Sequence, residues 1–210
     1  MAASNALLLI SGALLISLAV LCQGDPVVDS DGDAVQLNLG GRYPLYTIES
    51  AAIGFHGGLS ALHKDVCKSY VYEAPETDRG LPVSFSASAT SEPVMQLGSR
   101  YKFSFLMPVP RICDTAWSVG KSETNGGISF QPITAGEYFY LNDFSWFEVR
   151  STEETGVYKL AACSCEFCKI ACPEVGSFNV NGKTLLGIGG EHFTVRFHKS
   201  DALAMKTAPQ

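Results

Sequence analysis

The chain has 210 residues, of which 46% are hydrophobic and 17% charged, with a formal net charge of −6. That acidic balance argues against nucleic acid or an anionic lipid surface as the main partner. The length suits one domain with a sizeable core, so disulfides are not needed to replace one.

Met1 to Gly24 carry almost no polar side chains, hold an apolar run from Ala6 to Cys22, and end in the small-x-small site Cys22-Gln23-Gly24 before Asp25-Pro26. This pattern predicts a secretory signal peptide, 1–24, cleaved after Gly24. No second long apolar stretch follows, so residues 25–199 are expected to form one domain without a membrane segment. Removing the signal removes Cys22 and leaves six cysteines. In an oxidising compartment that even number reads as three disulfides, with fifteen connectivities open. No Asn-x-Ser/Thr acceptor is present, so N-glycosylation is not expected.

From residue 43 onward the chain is punctuated as an all-β protein. Short β-prone runs recur between Gly, Pro, Asn and Asp turns: Tyr43–Ile48, Ser69–Tyr72, Val83–Ser86, Arg100–Phe105, Gly136–Leu141, Phe147–Arg150, Val157–Ala161 and His192–Phe197. Tyr101-Lys-Phe-Ser-Phe105 and Phe193-Thr-Val-Arg-Phe197 alternate strictly, as strands with one buried face do. Asn181-Gly182, between Phe178–Val180 and Leu185-Leu186, predicts a hairpin because both residues tolerate positive φ. No segment keeps a helical period for three turns, and many short strands at this spacing imply a barrel or sandwich. Residues 200–210 lack a strand pattern and are expected to be a mobile or trimmed tail.

Two short segments carry chemistry. Pro108-Val-Pro-Arg-Ile-Cys113 sets Arg111-Ile112 between a proline and a cysteine. Pro110 fixes its own φ and pushes Val109 towards extended geometry, the shape a protease subsite accepts. Cys163-Ser-Cys-Glu-Phe-Cys-Lys-Ile-Ala-Cys172 contains the only other Lys/Arg-Ile step, Lys169-Ile170. A basic residue before isoleucine is a bond that a trypsin-like protease would recognise, and here cysteines can hold it still. If Cys163 pairs with Cys172, the ten-residue ring contributes about 2.7 kcal/mol in the chain-entropy treatment, and a nested Cys165–Cys168 bridge at most about 1.9 kcal/mol more. Restricting the backbone in this way lowers the ordering cost of binding. Other readings of the cluster are a purely structural staple, an iron–sulfur or zinc site, and a redox pair. The ferredoxin spacing is incomplete, a secreted chain would oxidise the thiols, and no βαβ context lowers a thiol pKa.

These residues resemble the plant Kunitz, or soybean-trypsin-inhibitor, family. Val27-Val-Asp-Ser-Asp-Gly-Asp33 with Gly40-Gly-Arg-Tyr43 resembles its N-terminal signature, and Cys113 with Trp117-Ser-Val119 its first disulfide region. Tyr158-Lys-Leu160, Cys163, Cys172 and Glu174-Val-Gly176 resemble its second disulfide region, and Phe193–Phe197 its closing strand. The extra cysteine pair and the two basic sites are most similar to the family's double-headed arrowhead inhibitors. The resemblance implies a β-trefoil of twelve strands with pseudo-threefold symmetry. It also implies Cys67–Cys113 and Cys163–Cys172 bridges, with Cys165 and Cys168 as an added pair. It implies substrate-like inhibition of trypsin-like serine proteases, two per inhibitor, by a monomer without metal or cofactor, through Arg111-Ile112 and Lys169-Ile170. Two departures accompany it: two extra residues between Val35 and Tyr43, and no basic residue in Ser86–Glu92, where the family's usual reactive residue falls.

Two other function classes remain for comparison. A carbohydrate-binding or storage trefoil would use clusters such as Asn142-Asp-Phe-Ser-Trp146, but this one is not repeated. An enzyme is disfavoured because His56, His63, His192 and His198 show neither triad nor metal spacing.

Overall fold

The computed structural model describes residues 24–39, 44–51, 57–87, 92–136 and 145–200. The described residues contain fourteen strands and no helix, and the strands fall into three successive units. The first unit holds β1 (Leu45–Ser50), β2 (Leu59–His63), β3 (Ser69–Glu73) and β4 (Val83–Ser86). The second holds β5 (Arg100–Phe105), β6 (Trp117–Val119), β7 (Glu123–Asn125), β8 (Ile128–Ala135) and β9 (Trp146–Ser151). The third holds β10 (Tyr158–Cys163), β11 (Val175–Val180), β12 (Lys183–Ile188), β13 (Glu191–His192) and β14 (Val195–Ser200).

The first and last strands of each unit close a six-stranded barrel in the order β1-β14-β10-β9-β5-β4. The inner strands form a cap in which β3, β8 and β12 all pair with one another. A barrel contributed equally by three units, under a cap whose three strands meet in a triangle, is a β-trefoil. With the two-residue β13 and the three-residue β7 set aside, twelve strands remain, four to a unit.

Residue alternation explains the barrel. In β5 the burial pattern puts Tyr101, Phe103 and Phe105 inside and Arg100, Lys102 and Ser104 outside. Phe103 packs against Phe85, Phe147 and Trp117 at ring-centroid distances of 4.7–5.4 Å. The barrel's far end is closed by backbone. Val27 N–H donates to Met95 O, Met95 N–H to Val35 O, and Val35 N–H to Val27 O, at 2.8–2.9 Å, with all three side chains fully buried. The following residue in each case donates its N–H to a tyrosine hydroxyl: Val28 to Tyr158, Gln36 to Tyr46 and Gln96 to Tyr101. Each of these tyrosines faces the last barrel strand of its own unit, opposite Val195, Val83 and Phe147. Burial raises the Tyr46 pKa above its ordinary value of 10.0, and Asp29 and Asp33 add to the shift against the Gln36 hydrogen bond.

Of the expected strands, Val83–Ser86 and Arg100–Phe105 formed as read and the others within the described residues formed with shifted ends, except at Gly136, and the differences have physical causes. His192 belongs to β13, which pairs with β11 in the cap, whereas β14 starts at Val195 and pairs with β1 in the barrel. The single run expected over 192–197 therefore changes sheets at Phe193-Thr194. Gly136 follows β8 rather than starting a strand, at φ +87°, and a Cβ there would lie 2.0 Å from the Cys67 carbonyl oxygen. The rest of that run, 137–141, lies outside the described residues. β8 was not among the expected strands, and it runs unbroken through Pro132, a residue that argues against a strand interior. Asn181 and Gly182 take φ of 52° and 75° between β11 and β12, the predicted hairpin turn. Of the tail, Ser200 ends β14 and 201–210 lie outside the described residues, as do residues 1–23 of the signal segment.

Candidate functional site

Both basic segments lie on the same connection of the trefoil, the one from the first barrel strand of a unit to its cap hairpin. Arg111 lies between β5 and β6, and Lys169 between β10 and β11. The corresponding connection of the first unit, from β1 to β2, lies partly outside the described residues. The pseudo-threefold axis therefore relates the two segments, and nothing in their local sequences signals this.

The first loop leaves the barrel at Phe105, whose N–H donates to Thr115 O at 3.1 Å, and Ser104 bridges Ala116. Cys113 is bonded to Cys67 in the β2–β3 turn, where Asp65 Oδ1 accepts the N–H groups of Cys67 and Lys68. Gly136 allows that turn to approach the loop base, since any side chain there would strike Cys67. Arg111 and Ile112 are exposed, Ile112 at 54%. Cys113 N–H donates to Pro110 O at 2.9 Å. The Arg111–Ile112 peptide is thus the middle of a hydrogen-bonded turn, where Pro110 alone suggested an extended approach.

The second loop rises from Cys163 and returns at Cys172, which are bonded to each other, and Cys165 is bonded to Cys168. Ala162 N–H donates to Pro173 O at 2.9 Å, and Ala161 bridges Glu174, so the loop is pinched at its base. Trp146, Ala161 and the Cys163–Cys172 bridge pack together beneath it. Phe167, Lys169 and Ile170 project outward, Phe167 at 77% exposure. Of the six large hydrophobic side chains that are exposed among the described residues, Leu106, Ile112, Phe167 and Ile170 lie on these two loops, and Val66 sits beside Cys67. Exposed apolar residues concentrated in this way mark a surface that a partner covers. Among the described residues, neither Arg111 nor Lys169 has an acidic partner.

The outward face of the barrel supports the second loop. Arg100 and Glu148 are direct cross-strand partners on β5 and β9, with Nε and Oε2 3.7 Å apart. Arg100 Nη1 donates to the carbonyls of Cys165 (2.9 Å) and Cys168 (2.6 Å), and Nη2 to that of Ile170 (3.3 Å). Arg150 donates through Nε to Glu148 Oε1 (2.6 Å) and through Nη2 to Cys172 O (3.2 Å). Between the loops, Lys102 lies 5.0 Å from the centre of the Trp146 ring. Burial holds its pKa below the ordinary lysine value, opposed by the carboxylates of Glu166 on one loop and Asp114 on the other. None of these supports was expected from the sequence. The strict alternation of β5 makes Arg100 an outward residue, but its partner depends on the β5–β9 register.

Comparison with known proteins fits this arrangement. The profile of the Kunitz legume family, described as trypsin and protease inhibitor, matches residues 27–199. The chain belongs to this family. Among curated relatives, proteinase inhibitor B of Sagittaria sagittifolia is 86% identical over 210 residues, all of each chain. Among solved structures, the double-headed arrowhead protease inhibitor A in complex with two trypsins has 90% identity and a TM-score of 0.82, covering 84% of this chain and 100% of that one. Soybean trypsin inhibitor has a TM-score of 0.64 at 23% identity, over 84% of this chain and 100% of that one, and shows the shared fold.

Among the described residues, the remaining sequence candidates of this Kunitz inhibitor do not come together as a catalytic or metal site. His198 Nε2 lies 3.0 Å from Glu49 Oε2, His63 and His192 are exposed, and His56 lies outside the described residues. Glu148, Cys163 and Cys172 come within 4.8 Å of one another, but the two sulfurs are bonded to each other and cannot ligate a metal as thiolates. Of the Asn142–Trp146 cluster, 142–144 lie outside the described residues and Trp146 is buried under the second loop. Residues 88–91 of the Ser86–Glu92 loop also lie outside them.

Proposed function

We propose that this protein inhibits trypsin-like serine proteases through two substrate-like heads, with Arg111 and Lys169 entering the primary specificity pockets and Ile112 and Ile170 following the scissile bonds. One observation carries this reading: each exposed Lys/Arg-Ile bond is spanned by a single disulfide. Cys67–Cys113 joins the two sides of Arg111-Ile112, and Cys163–Cys172 the two sides of Lys169-Ile170. When the protease serine attacks the Lys or Arg carbonyl carbon, the carbon–nitrogen bond breaks and the isoleucine amine takes the proton delivered by the catalytic histidine. In a free substrate that amine diffuses away. Here the bridge keeps it beside the acyl-enzyme, so re-formation of the bond competes with hydrolysis. The aspartate at the base of a trypsin-type pocket matches the two unpaired cations.

The 90% identity to an inhibitor solved with two trypsins supports two heads. The bare 23% likeness to soybean trypsin inhibitor would not. An apolar N-terminal segment and three disulfides support entry into the secretory pathway, with 1–24 as the signal, 25–199 as the inhibitor domain and a secreted or vacuolar destination. Size-exclusion chromatography with excess trypsin tests the reading. A complex holding two trypsins per inhibitor is expected, and a strict one-to-one complex would contradict it.

A further inference from the structure

The geometry points to Arg100 as the positioning residue of the Lys169 head: one guanidinium holds the carbonyls on both sides of the scissile bond and keeps the two cut ends in register for religation. The proposal rests on the assignment of Lys169 as a specificity residue.

Three features carry it. The hydrogen bonds to Cys168 O and Ile170 O reach the residues immediately before and after Lys169, and therefore opposite sides of the Lys169–Ile170 bond. After cleavage, Cys168 stays on the acyl fragment and Ile170 on the amine fragment, and Arg100 still bridges them. Second, little else fixes Ile170. Its side chain is 66% exposed and borders an open hollow of about 270 Å³ on the other side, shared with Ala171, Pro173 and Ile188. The inner Cys165–Cys168 bridge lies wholly on the acyl side and cannot hold the amine. Third, Arg100 is itself fixed. Its side chain is 14% exposed, its Nε faces Glu148, and Arg150 grips the other side of that carboxylate. A planar guanidinium with several donors suits a task of this kind, where an ammonium does not.

The clamp belongs to one head only. Tyr46 and Tyr101 occupy equivalent positions in the trefoil, each capped by a backbone N–H, so the preceding residues Leu45 and Arg100 are equivalent too. Leucine offers no donor to the Arg111 loop. That head therefore serves as an internal control.

The bond chemistry is closed. Hydrolysis adds water across the Lys169 carbonyl carbon and the Ile170 nitrogen, leaving a carboxylate and an ammonium, and religation expels the same water. Arg100 changes no covalent bond and acts by keeping those ends together.

The test uses the full chain carrying Arg111→Ala, so that trypsin meets only the Lys169 head. In that background Arg100→Met is expected to weaken trypsin inhibition and to speed accumulation of the Lys169–Ile170 cut, seen by mass spectrometry, each by about 10-fold or more, since charge-assisted hydrogen bonds are lost. Arg100→Lys, which keeps the charge beside Glu148 but not the fork, should fall between Met and wild type. With Arg111 restored, both variants should still bind one trypsin with wild-type affinity through the first head. A merely structural role would instead lower the melting temperature and weaken both heads alike. Unchanged inhibition and cleavage in Arg100→Met and Arg100→Lys, with binding abolished by Lys169→Ala in the same background, would overturn the clamp and leave the head assignment standing. Persistent binding in that Lys169→Ala control would overturn both.

Discussion

The hydroxyl of Tyr158 accepts the Val28 N–H across 130 residues of sequence, and Tyr46 and Tyr101 do the same for Gln36 and Gln96. These bonds give a physical role to part of the N-terminal signature. Val27 and Val35 are fully buried plugs, and Asp29 Oδ1 accepts the N–H groups of Asp31 and Asp33 to turn the chain between them. Tyr158→Phe keeps the ring packed on Phe197 but leaves a partly buried N–H without its acceptor. The variant is expected to lose about 1–3 kcal/mol of stability, read as a lower denaturant midpoint at unchanged m-value. Trypsin stoichiometry should not change, because the tyrosine lies at the end of the barrel strand remote from the loop that begins at Cys163.

At the scale of elements, each loop is built from a disulfide that spans the bond and a base closed by backbone pairing. The Lys169 loop adds the inner Cys165–Cys168 bridge and the Arg100–Glu148–Arg150 cluster. The inner bridge and Arg100 act on the same stretch, since Arg100 binds the carbonyls of both bridged cysteines. Replacing both inner cysteines by serine is expected to weaken the Lys169 head while sparing the Arg111 head. The loss should be partial, because the outer bridge and Ile170 contact remain, and inhibition constants measured separately in Lys169→Ala and Arg111→Ala backgrounds would show it. Equal loss at both heads would mean that the inner bridge supports the fold rather than its own loop.

The same elements show what can be read from sequence. The alternation of Arg100–Phe105 and the Asn181-Gly182 turn are local signals, and strand and hairpin formed where those signals lay. β8 was missed because Pro132 reads as a breaker, yet its carbonyl accepts the Gly120 N–H and the strand continues around it. The break at Phe193-Thr194 was missed because a change of sheet leaves the burial alternation intact. The two Lys/Arg-Ile steps were legible as residues. Their symmetry equivalence, the turn at Arg111-Ile112 and the Arg100 cluster were not, because each depends on register or on contacts far apart in sequence.

For the whole molecule, the trefoil places two exposed Lys/Arg-Ile bonds on two of its three equivalent connections, each spanned by one disulfide, which under the proposed function would keep a cut head joined. Their supports differ, with the Arg100 hydrogen bonds under the Lys169 loop and a hydrogen-bonded turn across Arg111-Ile112. The two heads should therefore be separable by single substitutions, neither of which removes core contacts. The most direct test titrates active trypsin with wild type, Arg111→Ala, Lys169→Ala and the double variant. Two equivalents for wild type, one for each single variant and none for the double variant are expected, and a double variant that still titrates trypsin would contradict the assignment of the heads.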